Sequence, residues 1–466
     1  MPAIVKLSVV CPNDHGMTTH QAPTASFRDA VLFWFKLGFI SFGGPAGQIA
    51  TVHQELVENK RWISEQRFLH ALNYCMLLPG PEALQLVIYM GWLLHRTIGG
   101  LIAGFLFIFP AILLLIVLSL IYVVFGHTSL IEGIFLGIKP AVTAIVIAAG
   151  YRISKRILKK PIHIALAVGA FCGIQLHVPY PIIIIGAGLI GFFAHRKNPE
   201  LMGGTTSSHA SSSNSTVHHP AIIDDDSIQL SHTFFSIKKI ILVLSVSIIA
   251  WGIPFGLLWH FFGKSSVFTQ LAWFFTKAAL LTFGGAYAVL PYVFQETVEH
   301  FHWLTTAQMM DGLALGETTP GPLIIVVTFV GFIASYTNEL FLNSKIWSGI
   351  FGGLVVSWFT FLPSFCFIFL GGPLIESTRQ ELRLLPILNG ITCAVVGVIA
   401  SLALFFGLHT LFPENLVSSM FWQHMMVAIV LIVGSSIALI RYGQSMMRII
   451  FGCAIIGLIL FQIGMR

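Results

Sequence analysis

The feature that most restricts this chain is a motif pair that occurs twice. Phe42-Gly43-Gly44 and Pro79-Gly80-Pro81 return at one constant offset as Phe283-Gly284-Gly285 and Pro320-Gly321-Pro322. The register between them holds as well: Lys36 matches Lys277, Gln54 and Glu55 match Gln295 and Glu296, and Trp62 matches Trp303. Agreement at so many positions means a duplicated unit. Both motifs are poor helix formers. Gly-Gly lowers helix stability and admits a second backbone, while Pro-Gly-Pro removes two amide donors and disfavours the helical conformation before each proline.

Of the 466 residues, 56% are hydrophobic and 9% charged, and the mean hydropathy is +0.86. No ordinary soluble domain has this balance, so the fold class expected is an all-α polytopic membrane protein. In a bilayer, broken backbone is tolerated only where it is buried in protein or lines a wet cavity, so each half is expected to contain one such place. The formal charge of +6 raises the question of nucleic acid, but the basic residues fall in loops between apolar runs, and no nucleic-acid partner is expected. Residues 1–26 lack the pattern of a cleaved secretory signal, so the first span is expected to direct insertion.

The six cysteines form no CxxC pair, and the 18 histidines form no HExxH. The tightest histidine pairs, His218-His219 and His300 with His302, read as solvated loop residues. No metal site and no cofactor are expected. With no GxSxG or P-loop either, the chain is not expected to be an enzyme or an ATP-driven pump.

A crossing takes about 20 apolar residues. By that ruler the first copy offers spans near 31–52, 70–93, 100–125, 131–150, 162–176 and 180–194. An unmatched span follows near 239–262, and the second copy offers 268–292, 309–335, 347–371, 384–408, 419–440 and 447–464. The expectation is therefore about 13 transmembrane helices. The domains expected are a polar tail over 1–26, a first repeat over 27–195, a disordered Ser/His/Asp linker over 196–237, an extra helix over 238–264 and a second repeat over 265–466. An odd number of crossings between equivalent points inverts the second repeat. The N-terminus is expected in the cytoplasm and the C-terminus outside, because Arg96, the cluster Arg152, Lys155, Arg156, Lys159 and Lys160, and Arg196, Lys197, Lys238 and Lys239 then all lie inside. One loop disagrees: residues 53–69 fall outside yet carry Lys60, Arg61 and Arg67. Either it is an amphipathic surface connector or the first two spans are partly re-entrant.

Inverted repeats with interrupted helices point to a secondary transporter whose site lies near the bilayer midplane, where half-helix N-termini attract anions. The candidate site comprises Gly43, Gly44, Pro79, Gly80, Pro81, Gln85, Gly284, Gly285, Pro320, Gly321 and Pro322, with Lys36 and Lys277 as counter-charges. Each lysine stands seven residues before its Gly-Gly pair, so it either faces the site or snorkels to the interface. Glu82 and Glu317 flank the two Pro-Gly-Pro motifs without being duplicated. They are candidates for a coupling proton, or else cap a helix or pair with a lysine. Gln85 donates to an anion or simply packs. Lys139, before Pro140, reads as interfacial.

These residues resemble the chromate ion transporter family in its long, two-domain form. Ser41-Phe42-Gly43-Gly44-Pro45-Ala46-Gly47-Gln48, Lys60-Arg61-Trp62-Ile63, Asn73 through Ala83 and Gly91-Trp92 are similar to that family's N-terminal domain. Thr282 through Pro291 and Glu317-Thr318-Thr319-Pro320-Gly321-Pro322 are similar to its C-terminal domain. The resemblance implies a bacterial inner-membrane protein that exports chromate, a dianion shaped like sulfate, and confers chromate resistance. A carrier of sulfate or another oxyanion is the alternative, with a channel or membrane enzyme as more distant readings. The partners implied are the oxyanion and the lipid bilayer, and a homodimer is a candidate assembly.

Overall fold

The Phe-Gly-Gly and Pro-Gly-Pro motifs stop helices where hydropathy alone would continue them. The structure, a computed structural model, describes residues 25–42, 44–126, 128–198, 222–223, 236–283, 285–377, 385–412 and 421–463. Gly43, Gly284, His218-His219, the tail through residue 24 and most of the expected linker lie outside the described residues.

The first copy begins with α1 (Phe27–Ile40), α2 (Gly44–His53) running into a π-helical turn (Gln54–Asn59), and α3 (Glu65–Cys75). It continues with α4 (Glu82–Phe125), which breaks sharply at His95 and Arg96, then α5 (Ser129–Ile157), α6 (Pro161–Gln175) and α7 (Tyr180–Lys197). After the unmatched α8 (Ile237–Phe262), the same order returns. It runs α9 (Val267–Leu280), α10 (Ala286–Phe294) with a π-helical turn (Gln295–His300), α11 (Thr306–Thr318), a 3-10 turn (Leu323–Ile325) leading into α12 (Val326–Asn338), α13 (Lys345–Ser377), α14 (Leu385–Leu411), α15 (Phe421–Ile440) and α16 (Met446–Gln462). Even the irregularities repeat. Arg61 and its counterpart His302 both take the left-handed backbone, at φ 52° and 51°.

Where helices begin at a membrane face, side chains cap them. Ser26 accepts from the Asp29 amide at 3.1 Å, Ser64 from Arg67 at 3.3 Å, and Thr305 forms a reciprocal capping box with Gln308. Such caps satisfy the amides that a first helical turn leaves free.

The expected spans at 31–52, 70–93, 268–292 and 309–335 are corrected by these elements. None is a single crossing; each is a pair of half-helices meeting at a break. The halves turn back. Trp62, after the π turn, packs edge-on against Phe33 in the middle of α1 at 5.5 Å, and Lys60 lies over both rings. His95, ending the first arm of α4, bonds the carbonyl of Ala25 at 3.2 Å, just before α1. Both hairpins of the first copy therefore enter and leave by one face. In the second copy, the Val267 amide meets Glu339 at 3.1 Å in the same way, closing α9 against the end of α12. Hydropathy measures apolar length and cannot register such a reversal.

The long helices then place the two copies oppositely. The second arm of α4 and α5 run out and back, as do α6 and α7, and the long apolar α8 changes face. Phe262 at its far end packs with Phe268, Phe341 and Phe351 of the second copy. His177 and Glu299 approach at 4.0 Å on that same opposite face, while Arg152 donates to the Leu439 carbonyl on the first. The inverted repeats interlock: α5 packs on α15 and α16, and α14 packs on α6 and α7. At these crossings Gly137 abuts the Cys453 carbonyl, and its counterpart Gly390 abuts the Ala187 carbonyl, leaving no room for a side chain. Outward, α8 exposes Ile241, Leu244, Ile248 and Leu257, as a lipid-facing helix should.

The disputed loop is settled by its neighbours. Ile223 of the linker pairs with Ile63, its amide bonding the Trp62 carbonyl at 3.1 Å, so Lys60 and Arg61 share a face with the linker. A cysteine at exposed Asn59 should react with a membrane-impermeant thiol reagent from the linker face alone, and one at its counterpart His300 from the other face alone. Reaction of both from one face would contradict the inversion.

Candidate functional site

Pro-Gly-Pro contains a single amide, and in both copies that amide crosses to the other repeat. Gly80 donates to the Thr282 carbonyl at 2.7 Å, and Gly321 donates to the Ser41 carbonyl at 2.9 Å. Ser41 and Thr282 are equivalent residues, each just before its Phe-Gly-Gly motif. Their hydroxyls turn back onto the helix behind them, to Leu37 at 2.7 Å and Ala278 at 2.6 Å. The four breaks thus form one pseudo-symmetric node inside the protein. Gly44, Gly80, Gly285 and Gly321 all have positive φ there, at 69°, 130°, 96° and 98°. That backbone is easily reached only without a Cβ.

Around the node, Gln85 donates to the Pro79 carbonyl at 2.7 Å, and Gln48 donates to the Gly321 carbonyl. Both amides are buried, and the oxygen of each has no hydrogen-bond partner. Ser364 of α13 also presents an unpartnered buried hydroxyl beside Gly80. Gln85 therefore braces its own break, and Gln48 ties the first copy's break to that of the second.

The reciprocal bonds satisfy carbonyls at the ends of α1 and α9. The helices that start from the node are treated differently: α4 begins at Pro81, α10 at Gly285 and the 3-10 turn at Pro322, and no side chain caps any of them. Each α-helix start carries roughly half a positive charge. Two carboxylates stand against α10. Glu82 Oε1 lies 3.8 Å from where a Cβ on Gly285 would sit, and Tyr287 donates to Glu317 Oε1 at 2.8 Å. Glu82 comes from one copy and Glu317 from the other. Arg152 and Arg156 stand at the linker-face end of α5.

The two lysines proposed as counter-charges are placed elsewhere. Lys36 lies on the exposed side of α1 with Phe35 and Phe39, away from buried Ala30, Phe33, Trp34 and Leu37. Lys277 lies beside exposed Trp273, its ammonium 6.0 Å from the ring centroid. Neither ammonium has a hydrogen bond or ion pair to the residues of the node among the described contacts. A third lysine behaves otherwise. Lys139 pairs with Asp311 at 3.6 Å, and Tyr122 donates to the same carboxylate at 2.9 Å.

Inverted, interlocked repeats with uncapped half-helices gathered at mid-depth define a membrane transport protein. The chain belongs to the chromate transporter family, whose profile matches residues 28–192 and 269–458, one stretch in each copy. It is 30% identical over 383 residues to a chromate transport protein of Pseudomonas aeruginosa, covering 81% of this chain and 80% of that one. It is 26% identical over 384 residues to a chromate transport protein of Cupriavidus metallidurans, covering 82% and 83%. A probable chromate transport protein of Synechococcus elongatus is 24% identical over 398 residues, 85% of this chain and 89% of that one. No solved structure matches.

A Cβ on Gly321 would approach Ala111 Cβ at 2.8 Å, and one on Gly80 would approach Gln85 at 2.6 Å, both from left-handed backbone. Gly321→Ala and Gly80→Ala should each cost about 1–3 kcal/mol, read as a lowered unfolding midpoint in detergent. Gly452→Ala in α16, with open space around it, should leave the midpoint unchanged or raised.

Proposed function

We propose that the node binds a tetrahedral dianion, chromate or a close relative such as sulfate, and that the protein is a secondary transporter carrying it outward across the inner membrane. Chromate resistance would follow from that direction. The observation that carries this reading is the crossed pair of Pro-Gly-Pro bonds. They satisfy the negative helix ends of both copies and leave the amide ends of α4 and α10 uncapped at mid-depth. Two chromate transport proteins that the chain resembles over four-fifths of its length support the choice of anion.

The linker face is the cytoplasmic one. Among the described residues it carries Arg28, Lys60, Arg61, Arg67, Arg96, Arg152, Lys155, Arg156, Lys159, Lys160, Arg196, Lys197, Lys238, Lys239, Arg441 and Arg448, against Lys264 and Lys345 on the other. The N-terminus is then cytoplasmic and the C-terminus periplasmic. Arg152 and Arg156 draw an anion toward the node from that side. Gly44, Gly80, Gly285 and Gly321 let backbone approach it, and Pro79, Pro81, Pro320 and Pro322 hold the breaks open. An inside-negative voltage favours outward movement of a dianion by about 4.6 kcal/mol per 100 mV. The carboxylates of Glu82 and Glu317 oppose an anion when charged, so proton uptake on them accompanies binding.

The test is flux of chromate and of sulfate into inverted vesicles, with voltage and pH gradient imposed separately. Interior-positive voltage should drive chromate uptake without a pH gradient. Anion affinity should weaken as pH rises, and Glu317→Gln should remove that weakening, because the amide copies the protonated acid. Uptake indifferent to voltage, or saturable by sulfate and indifferent to chromate, would contradict the reading.

A further inference from the structure

The Tyr122–Asp311–Lys139 cluster takes no part in the node. Asp311 sits in the second turn of α11, which starts on the face opposite the linker. Tyr122 is in the last turn of α4 on that face, and Lys139 lies on α5 between that face and the node. The pair joins the copies, α5 of the first to α11 of the second. Its partners differ in access: the Lys139 side chain is 32% exposed and that of Asp311 6%. At 3.6 Å their contact is longer than a hydrogen bond, and Asp311 Oδ1 has no hydrogen-bond donor. The arrangement is also one-sided. The duplicated positions on the linker side hold His70 for Asp311 and Thr392 for Lys139.

A buried charge left without its partner is costly, so an ion pair across a moving boundary holds that boundary closed until another charge replaces one member. Here the cation is the more exposed partner and the carboxylate is buried. We propose that Lys139 is a second anion station, between the node and the opposite face. Asp311 occupies it as a built-in anion and latches this path shut until a translocated oxyanion takes its place. Tyr122 keeps its hydrogen bond to Asp311 throughout and returns the carboxylate when the anion leaves. His424 of α15 is a further titratable group close enough to Lys139 to feel its charge. The station rests on the transport reading above, whereas the latch can be tested without any substrate.

The reporter is a cysteine in place of half-buried Thr318, on the node side of the cluster, in the full-length protein reconstituted in vesicles. A membrane-impermeant thiol reagent is added from the face opposite the linker, and modification is followed by mass on the peptide carrying position 318. Asp311→Asn, which keeps shape and removes charge, should raise the labelling rate about tenfold. Tyr122→Phe should raise it less. Lys139→Gln should raise labelling equally and also abolish flux of chromate and sulfate. Exchanging the two charges (K139D with D311K) should restore slow labelling but not flux, since the cation is then out of reach. Unchanged labelling in both Asp311→Asn and Tyr122→Phe would overturn the latch, and normal flux in Lys139→Gln would overturn the station. Absence of flux in the unsubstituted protein would count against the transport reading and leave the labelling result intact.

Discussion

Two hydrogen bonds hold this architecture together: Gly80 to the Thr282 carbonyl and Gly321 to the Ser41 carbonyl. Lipid offers no partner to a backbone group, and an orphan there costs several kcal/mol. A Gly-Gly or Pro-Gly-Pro break creates such groups, and one copy alone cannot satisfy them because its Pro-Gly-Pro has a single amide to give. Each copy lends that amide to the other. Each repeat thus uses the other as its hydrogen-bond partner, and the exchange of packing partners between α5 and α14 extends the same reciprocity to the long helices.

Within this symmetric frame the chemistry lies in the departures from symmetry. Glu82 and Glu317 are not duplicated, yet both come to the start of α10. The Lys139–Asp311 pair stands on one side only, and the basic side chains concentrate on the other. A pair of equivalent half-structures could present two identical faces to an anion. On the proposed reading, these unequal charges would give the path its direction, with attraction at the linker face, the uncapped node within and the Lys139–Asp311 pair beyond it.

Much of this was legible in the residues, and the misses have physical causes. Repeated motifs located the breaks and the membership of the node, because only glycine tolerates the backbone found there. The direction of the hairpins was hidden: twenty apolar residues look alike whether they cross or turn back. Lys60, Arg61 and Arg67 were the signal, since their charge disagreed with a straight crossing. The spacing of Ala30, Phe33, Trp34 and Leu37 defines the packed face of α1 and excludes Lys36 from it, although the seven-residue interval to Gly-Gly suggested otherwise. Asp311 is neither duplicated nor next to a motif, so the repeat does not single it out. Its one signal is a carboxylate inside the apolar run 309–335, a run that also contains Glu317.

The most direct measurement is an experimental structure of the full-length protein determined in saturating chromate. The account predicts density for the anion enclosed by the starts of α4 and α10, next to Gly80, Gly285 and Gly321, with the two repeats inserted in opposite senses. An anion bound only at the exterior, or Phe-Gly-Gly segments running straight through the bilayer as continuous helices, would contradict it.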